Sequence, residues 1–373
     1  MYFRYRLNRL AKEGVVHLLQ TVFSHVVYTS FIAVAISASF CANRLHGFEA
    51  QLQEAIYSVV ETHESAIVRV KAAFRQEQTE EKPSQINLRV GTGFFVSREG
   101  HVLVNASRAL GADRIGVEYK GRVYPAEAIG HDSLTNVSLI RLLKTPENFG
   151  IVPLALEQPL LPLGTFVVSL SCPLDFSVSP NMGIFTGVDK KLGDRIFPTA
   201  YFRTSIPIGS GQGGCPIFDR HGQLIGMTIA SIPEMKGSYA LPVSALARVK
   251  EDLMASGQSL RAWIGLEVKE NISGSGEHNV FVAELIAGGP AKEGGLKEGD
   301  QILSICDVPI HHITDLPTAI FKTHVNQLAP VLVQERIKSC IFQLKRCPNQ
   351  ALLTGSVRSR GVGWTVRGVS SPY

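Results

Sequence analysis

Cysteine is scarce in this chain: six in 373 residues, at positions 41, 172, 215, 306, 340 and 347. No interval among them makes a Cys-x-x-Cys pair or a Cys/His zinc spacing, so the sequence predicts no metal and no other cofactor. A disulfide such as Cys340 to Cys347 stays open. Charge of one sign is equally short. The formal net charge is +5, and residues 1–42 account for three of it, with four bases (Arg4, Arg6, Arg9, Lys12) against one acid, which leaves +2 for the rest. That balance argues against nucleic acid as the main partner. Also missing is an apolar run of the about 20 residues that a transmembrane helix needs, the stretch from Val26 to about Ala38 being shorter.

What is present is apolar content, 45% of residues, enough to fill the cores of two or three domains. Residues 1–42 combine a basic start, an apolar middle and small residues near Cys41, the layout of a secretory signal. If Tyr28 and the neighbouring valines extend the run, it becomes a retained anchor, which is the one membrane contact the sequence offers. Ala38-Ser39-Phe40-Cys41 compares poorly with a lipoprotein box because phenylalanine precedes the cysteine. Phe48, Leu52, Ala55, Ile56, Val59 and Val60 form the stripe of an amphipathic helix, expected to pack on the neighbouring β-domain. Ala66–Val70 reads as a first strand and Gln76–Ser84 as a mobile charged loop.

From Arg89 to Ala255, short β-runs alternate with Gly, Pro, Asn and Asp turns, among them Gly93–Val96, His101–Val104, Ile115–Tyr119, Ser138–Leu142, Phe166–Leu170, Tyr201–Thr204 and Leu224–Ile229. The count fits a pair of six-stranded barrels, closed by a helix over Ser244–Ser256. Beyond Gln350 apolar residues thin out, and from Arg336 onward there are seven bases and no acid, which reads as a solvated basic tail.

Three segments carry a family pattern. Gly209-Ser210-Gly211-Gln212-Gly213-Gly214-Cys215-Pro216 resembles the Gly-x-Ser-Gly-Gly-Pro loop of trypsin-like serine proteases. Gly91-Thr92-Gly93-Phe94-Phe95 through Val104-Asn105 resembles the strand pair that ends in Thr-Asn-x-His in the HtrA (DegP-like) branch. Gly130-His131-Asp132-Ser133-Leu134-Thr135-Asn136 resembles that branch's Gly-x-Asp-x-x-Thr-Asp segment, and Tyr239-Ala240-Leu241-Pro242 resembles its Phe-Ala-Ile-Pro strand. The resemblance implies a mostly β chain with a chymotrypsin-like double barrel. It also puts Ser107 at the place of the general-base histidine, Asn136 at that of the orienting aspartate and Gly213 at that of the nucleophilic serine. Gly211 and Gly213 keep the places of the oxyanion-hole amides.

Arg261 to about Cys347 resembles a bacterial PDZ domain. The matching residues are Gly288-Gly289-Pro290-Ala291 and Gly294-Gly295-Leu296-Lys297-Glu298-Gly299-Asp300-Gln301-Ile302-Leu303, preceded by Trp263-Ile264-Gly265-Leu266 where the family has its carboxylate-binding loop. Such domains add an extended peptide to a sheet edge and hold its terminal carboxylate in backbone amides. Trp263, Ile264, Gly265, Leu266 and, on the helix after Thr314, Ile320 are therefore the candidate peptide-binding residues, with core packing the competing role for Leu266 and Ile320. The expected order is a signal or anchor (1–42), a trypsin-like double barrel (43–257), a PDZ domain (258–347) and a basic tail (348–373).

A serine protease needs a histidine to take the serine proton and a carboxylate to fix the imidazole. All three places are changed, so the expectation is a pseudoprotease. It binds unfolded or C-terminal segments in the cell envelope as chaperone, scaffold or regulator, and the resemblance adds a homo-oligomer, a trimer, alone or mixed with an active relative. The alternative is an endopeptidase with a relocated centre, for which Ser210 or Cys215 is the candidate nucleophile and His101, His131 or His221 the candidate base.

Overall fold

Alternating burial along short strands closes two barrels, as a computed structural model of the chain shows. In the strand Arg114–Tyr119, for instance, Ile115, Val117 and Tyr119 turn inward while Arg114 faces solvent. The structure describes residues 50–76, 85–155, 161–323, 328–334, 339–343 and 345–346. The chain divides into two compact units, Met1–Tyr57 and Ser58–Tyr373. Within the first, residues 50–57 are helical, and this helix, α1, runs on to residue 63. The expected signal or anchor, residues 77–84 of the expected loop, the basic tail and the Cys340 to Cys347 pairing lie outside the described residues or side chains. No described helix is long and apolar enough to cross a membrane.

The first barrel comprises β1 (Ile67–Gln76), β2 (Gln85–Phe95), β3 (His101–Asn105), β4 (Arg114–Tyr119), β5 (Arg122–Asp132) and β6 (Val137–Leu142), with the short α2 (Ala106–Ala109) after β3. It closes in the order β1-β2-β3-β6-β5-β4. The second comprises β7 (Phe166–Ser171), β8 (Ser179–Leu192), β9 (Arg195–Thr204), β10 (Pro216–Asp219), β11 (Leu224–Ile232) and β12 (Gly237–Pro242), and closes as β10-β11-β12-β9-β8-β7. Each has its own core: Val70, Phe95, Val104 and Ile140 in the first, Val167, Phe185, Phe202 and Ile217 in the second. Fully burying such a side chain stabilises by about 1.5–3 kcal/mol, which holds a closed barrel without disulfides.

β1 and β2 are longer than the sequence suggests. Lys71–Gln76 pairs with Gln85–Val90 as an antiparallel ribbon whose second strand is exposed from Gln85 to Arg89, Ile86 and Leu88 included, so no alternation of burial marks that strand in the sequence. α3 (Val243–Ser256) follows the second barrel and ends at Gly257, whose φ of 70° lets its N–H reach the Leu253 carbonyl. His63, at the end of α1, stacks on Phe218 of β10 at 4.3 Å and donates from Nε2 to the Gly222 carbonyl at 2.8 Å.

After α3 come β13 (Ala262–Trp263), β14 (Leu266–Ile272), β15 (His278–Leu285), α4 (Pro290–Glu293), β16 (Gln301–Ile305), β17 (Val308–Pro309), α5 (Asp315–Phe321), β18 (Leu328–Val333), β19 (Ser339–Gln343) and β20 (Lys345–Arg346). The sheet runs β14-β15-β16-β18-β19, with β14 at its edge, over a third core that includes Ile264, Val280, Val282, Ile302 and Val331. α5 is held against the second barrel. Its Asp315 pairs with Lys190 of β8, the carbonyl of Thr323 just beyond it accepts from Arg248 of α3 at 2.7 Å, and Arg261 lies 4.6 Å over the Phe321 ring while pairing with Asp132 of the first barrel.

Candidate functional site

Two sites emerge, the loops that bring the triad places of the two barrels together and a groove in the third domain. β3 ends at Asn105 and hands the chain to α2, which carries Ser107 and Arg108. Asn136 sits in the turn before β6 at φ 58°. Its own carbonyl accepts from Ala106 N–H at 3.0 Å, its Oδ1 accepts from Ser107 N–H at 2.8 Å, and its Nδ2 donates to the Ile229 carbonyl at 2.8 Å. Asn136 thus caps α2 and ties it to β11. The contact between Asn136 and Ser107 is made through the Ser107 backbone, and the Ser107 side chain is exposed.

The glycine loop is held by close backbone packing and by hydrogen bonds to both barrels. Gly211 has φ 81°, and a Cβ there would stand 2.7 Å from Leu174 N and 2.8 Å from the Cys172 carbonyl, so only glycine fits. The Gly211 carbonyl accepts from Thr92 Oγ1 at 2.8 Å, that of Gly213 from Thr92 N–H at 3.0 Å, and Gln212 Nε2 donates to Ser171 Oγ at 3.1 Å. Neither the Gly211 nor the Gly213 N–H has a hydrogen-bond partner among the described residues.

One residue here carries no signal in the sequence. The Arg108 stem lies 3.0 Å from where a Gly91 Cβ would be, and its guanidinium nitrogens lie 3.9 Å from where a Gly213 Cβ would be. Its Nε is buried without a hydrogen-bond partner. A long cation therefore occupies the space beside the residue at the nucleophile position. Neighbouring Arg89 donates to the Ser107 carbonyl at 3.0 Å.

The candidate relocated groups are not brought together. Cys215 is buried with Sγ 3.2 Å from Thr228 Oγ1, and burial pushes its thiol up to about 11. The thiolate fraction at pH 7 is then roughly one in ten thousand. Ser210 is exposed on the loop. His101 Nδ1 bonds Ser97 Oγ at 2.7 Å, His131 Nδ1 bonds Ser138 Oγ at 2.6 Å, and Arg220 Nε bonds His221 Nε2 at 3.0 Å. Among the described residues no imidazole is bonded to either candidate nucleophile. Buried Cys172 is likewise pushed up to about 11. Both cysteines are expected to resist iodoacetamide in the folded chain near neutral pH and to react fully once urea unfolds it. Peptide mass mapping checks this, and rapid native labelling of Cys215 would revive the relocated nucleophile.

In the third domain, Gly265 lies buried between β13 and β14 with φ 75°. A Cβ there would meet Gly289 Cα at 2.9 Å and the Trp263 ring at 3.3 Å, and its carbonyl accepts from Ile286 N–H at 3.0 Å. Ile264 is 4% exposed, packs into the domain core and accepts from Ala291 N–H at 2.9 Å. Leu266 and Ile320 are half-buried, packed on that core and facing a cavity of about 320 Å³ between β14 and α5. The lining includes Trp263, Leu266, Leu316 and Ile320 on the domain's side and Ile196 and Phe197 of β9 on the barrel's side.

Comparison with known proteins agrees with this architecture. The family described as Trypsin-like peptidase domain matches residues 91–227, and the PDZ domain family matches residues 253–334. A "Probable periplasmic serine endoprotease DegP-like" of Ectopseudomonas mendocina (strain ymp) is 30% identical over 242 residues, 61% of this chain and 50% of the relative. Its namesake in Halomonas elongata is 25% identical over 326 residues, 78% of this chain and 68% of the relative. The chain spans about half the length of most of the curated relatives it matches here. Among solved structures, the HtrA-type protease AlgW with decapeptide has a TM-score of 0.62 at 21% identity, covering 78% of this chain and 98% of that one. The serine endoprotease from Yersinia pestis has a TM-score of 0.55 at 20% identity, with 78% and 98% covered. At such identities the structures share the fold. The chain thus carries a trypsin-like peptidase domain followed by a PDZ domain, the order in which its sequence relatives named DegP-like and its structural neighbours named HtrA-type are similar to it.

Proposed function

We propose that this chain binds peptide segments without cleaving them, as a pseudoprotease of the cell envelope that acts as chaperone, scaffold or regulator of protein quality control. The observation that carries the reading is the triad: Ser107, Asn136 and Gly213 stand at its three places, and Asn136 spends its side chain on α2 and β11. Arg108 adds weight, since the group its side chain brings to within 3.9 Å of a Gly213 Cβ is a guanidinium, which stays protonated and cannot take a nucleophile's proton. The ligands are C-terminal or unfolded segments. They lie along the free edge of β14, with the terminal carboxylate at the Gly265 turn and an apolar last side chain between Leu266 and Ile320. The resemblance also supports a homo-oligomer, a trimer, alone or with an active relative, and a periplasmic place, the compartment named for the curated relatives.

Those relatives are named endoproteases, which favours a second reading, a peptidase with a non-standard centre. The two part on turnover. For the binding itself, labelled C-terminal peptides are titrated against the full chain with a free and with an amidated terminus. Micromolar affinity, about −8 kcal/mol, is expected for the free carboxylate, strengthened where oligomerisation adds avidity. Equal binding of amidated peptides would remove Gly265 and its neighbours from the carboxylate-holding role.

A further inference from the structure

We propose that Glu270, His278 and His312 form a site for a divalent transition metal of the zinc class, at the end of the PDZ groove away from Gly265. Glu270 is on the edge strand β14, His278 begins β15, and His312 lies in the loop that leads into α5. Each offers one ligand atom, a carboxylate oxygen or a ring nitrogen, and the three atoms lie within 4.8 Å of one another. Both imidazoles turn Nδ1 to the same carboxylate oxygen, His312 at 3.1 Å and His278 closer, with ring centroids 4.4 Å apart. Zinc with bonds of about 2.0–2.2 Å sets its ligand atoms roughly 3.3 Å apart, so small rotations of exposed rings suffice. The second Glu270 oxygen is already fixed by Ile313 N–H at 3.0 Å, which aims the first at the imidazoles.

The ligand chemistry is selective. Two imidazoles and one carboxylate suit zinc and its neighbours better than magnesium or calcium, which take oxygen ligands. Three protein ligands leave a fourth position for water or for a group of a bound peptide. The side chains are 18%, 35% and 50% exposed for Glu270, His278 and His312, so a hydrated ion reaches them. Chain spacing hid the site, because the ligands come from two strands and a distant loop, 42 residues apart at the extremes.

Placement gives the metal a purpose. Glu270 lies five positions after Gly265 along β14, roughly 16 Å of strand, so the site sits about where the upstream end of a four- or five-residue ligand would lie. A metal held by β14 and by the loop before α5 fixes the spacing of the groove's two walls. This coupling rests on the peptide-groove reading above, whereas the metal site does not.

The test uses the full chain, stripped with EDTA and titrated with zinc chloride against a chromophoric chelator, beside His312→Ala and Glu270→Gln. His312 is half exposed, so its loss spares the fold, and glutamine keeps an acceptor for Ile313 N–H. The expected result is one zinc per chain lost to both variants, with affinity lower by roughly ten-fold or more, and a rise in melting temperature with zinc in the unaltered chain only. Equal zinc affinity in all three proteins, or none in any, overturns the site. Peptide titration with and without zinc reads the coupling: tighter binding with zinc in the unaltered chain alone supports it, and unchanged affinity overturns it. Failure of peptide to bind under either condition strikes the groove reading and leaves the zinc result standing.

Discussion

Serine introduced alone at position 213 is expected to leave casein turnover at background. A Cβ at Gly213 meets the Asn105 amide at 3.2 Å, so that amide must give by a few tenths of an ångström to admit the serine. What is missing is a proton acceptor. Ser107 carries no imidazole, and the described histidines nearest in sequence to the motifs are bonded to Ser97, Ser138 and Arg220. A serine without its base keeps only the roughly 10³–10⁴-fold that oxyanion hole and binding supply over water.

Adding Ser107→His and Asn136→Asp completes the triad in composition but not in setting. The Asn136→Asp change removes the N–H that serves the Ile229 carbonyl, a loss of about 1–3 kcal/mol, and Arg108 still lies 3.9 Å from the new Cβ at position 213. The triple variant is therefore expected to show a trace of activity at most, rising when Arg108→Ala is added to clear the cleft. Initial rates on fluorescent casein, with an active relative as control, give the ranking. A single variant as active as the triple would mean that Ser107 does not occupy the histidine's place.

Gly265→Val is expected to abolish peptide binding, by at least about 100-fold, or nearly 3 kcal/mol. Valine must adopt φ near 75° against its strong preference, and its Cβ would press on Gly289 Cα at 2.9 Å, a backbone atom that cannot swing aside. The barrels have separate cores, so they are expected to stay folded, as hydrogen exchange of β1 to β12 will report. Because this variant also strains the domain, Ile320→Ala serves beside it. Ile320 is half-buried at the cavity wall, and its truncation is expected to weaken binding about ten-fold while the domain melts within a few degrees of the parent. Undiminished binding in both variants would place recognition elsewhere.

The barrels were legible because β-runs and turn residues are local signals, and the glycine loop because Gly211 and Gly214 hold positive φ that few other residues tolerate. The β2 half of the ribbon was not, since Gln85 to Arg89 are all exposed and no alternation of burial marks them. The triad places could be read from motif order, but not the work done there. Asn136 caps α2 through a backbone amide, and Arg108 reaches Gly213 only because the barrels fold their loops together. Ile264 read as part of a ligand loop from its motif, whereas its side chain packs in the core and its carbonyl holds Ala291. The PDZ groove's barrel-side wall, Ile196 and Phe197, and the Lys190 to Asp315 pair join residues far apart in the chain. No periodicity encodes such pairings.

Binding and the absence of cleavage can be read in one sample. Fluorescein-labelled, unfolded casein is incubated with the purified chain, freed of contaminating protease, and its anisotropy and its fragments are followed together. A pseudoprotease gives a saturable rise in anisotropy, reversed by a competing peptide with a free C-terminal carboxylate, with no fragments beyond those of a protein-free control. Fragments that grow with the concentration of this chain, and that vanish with fluorophosphonate or with a change at Ser210, would contradict it.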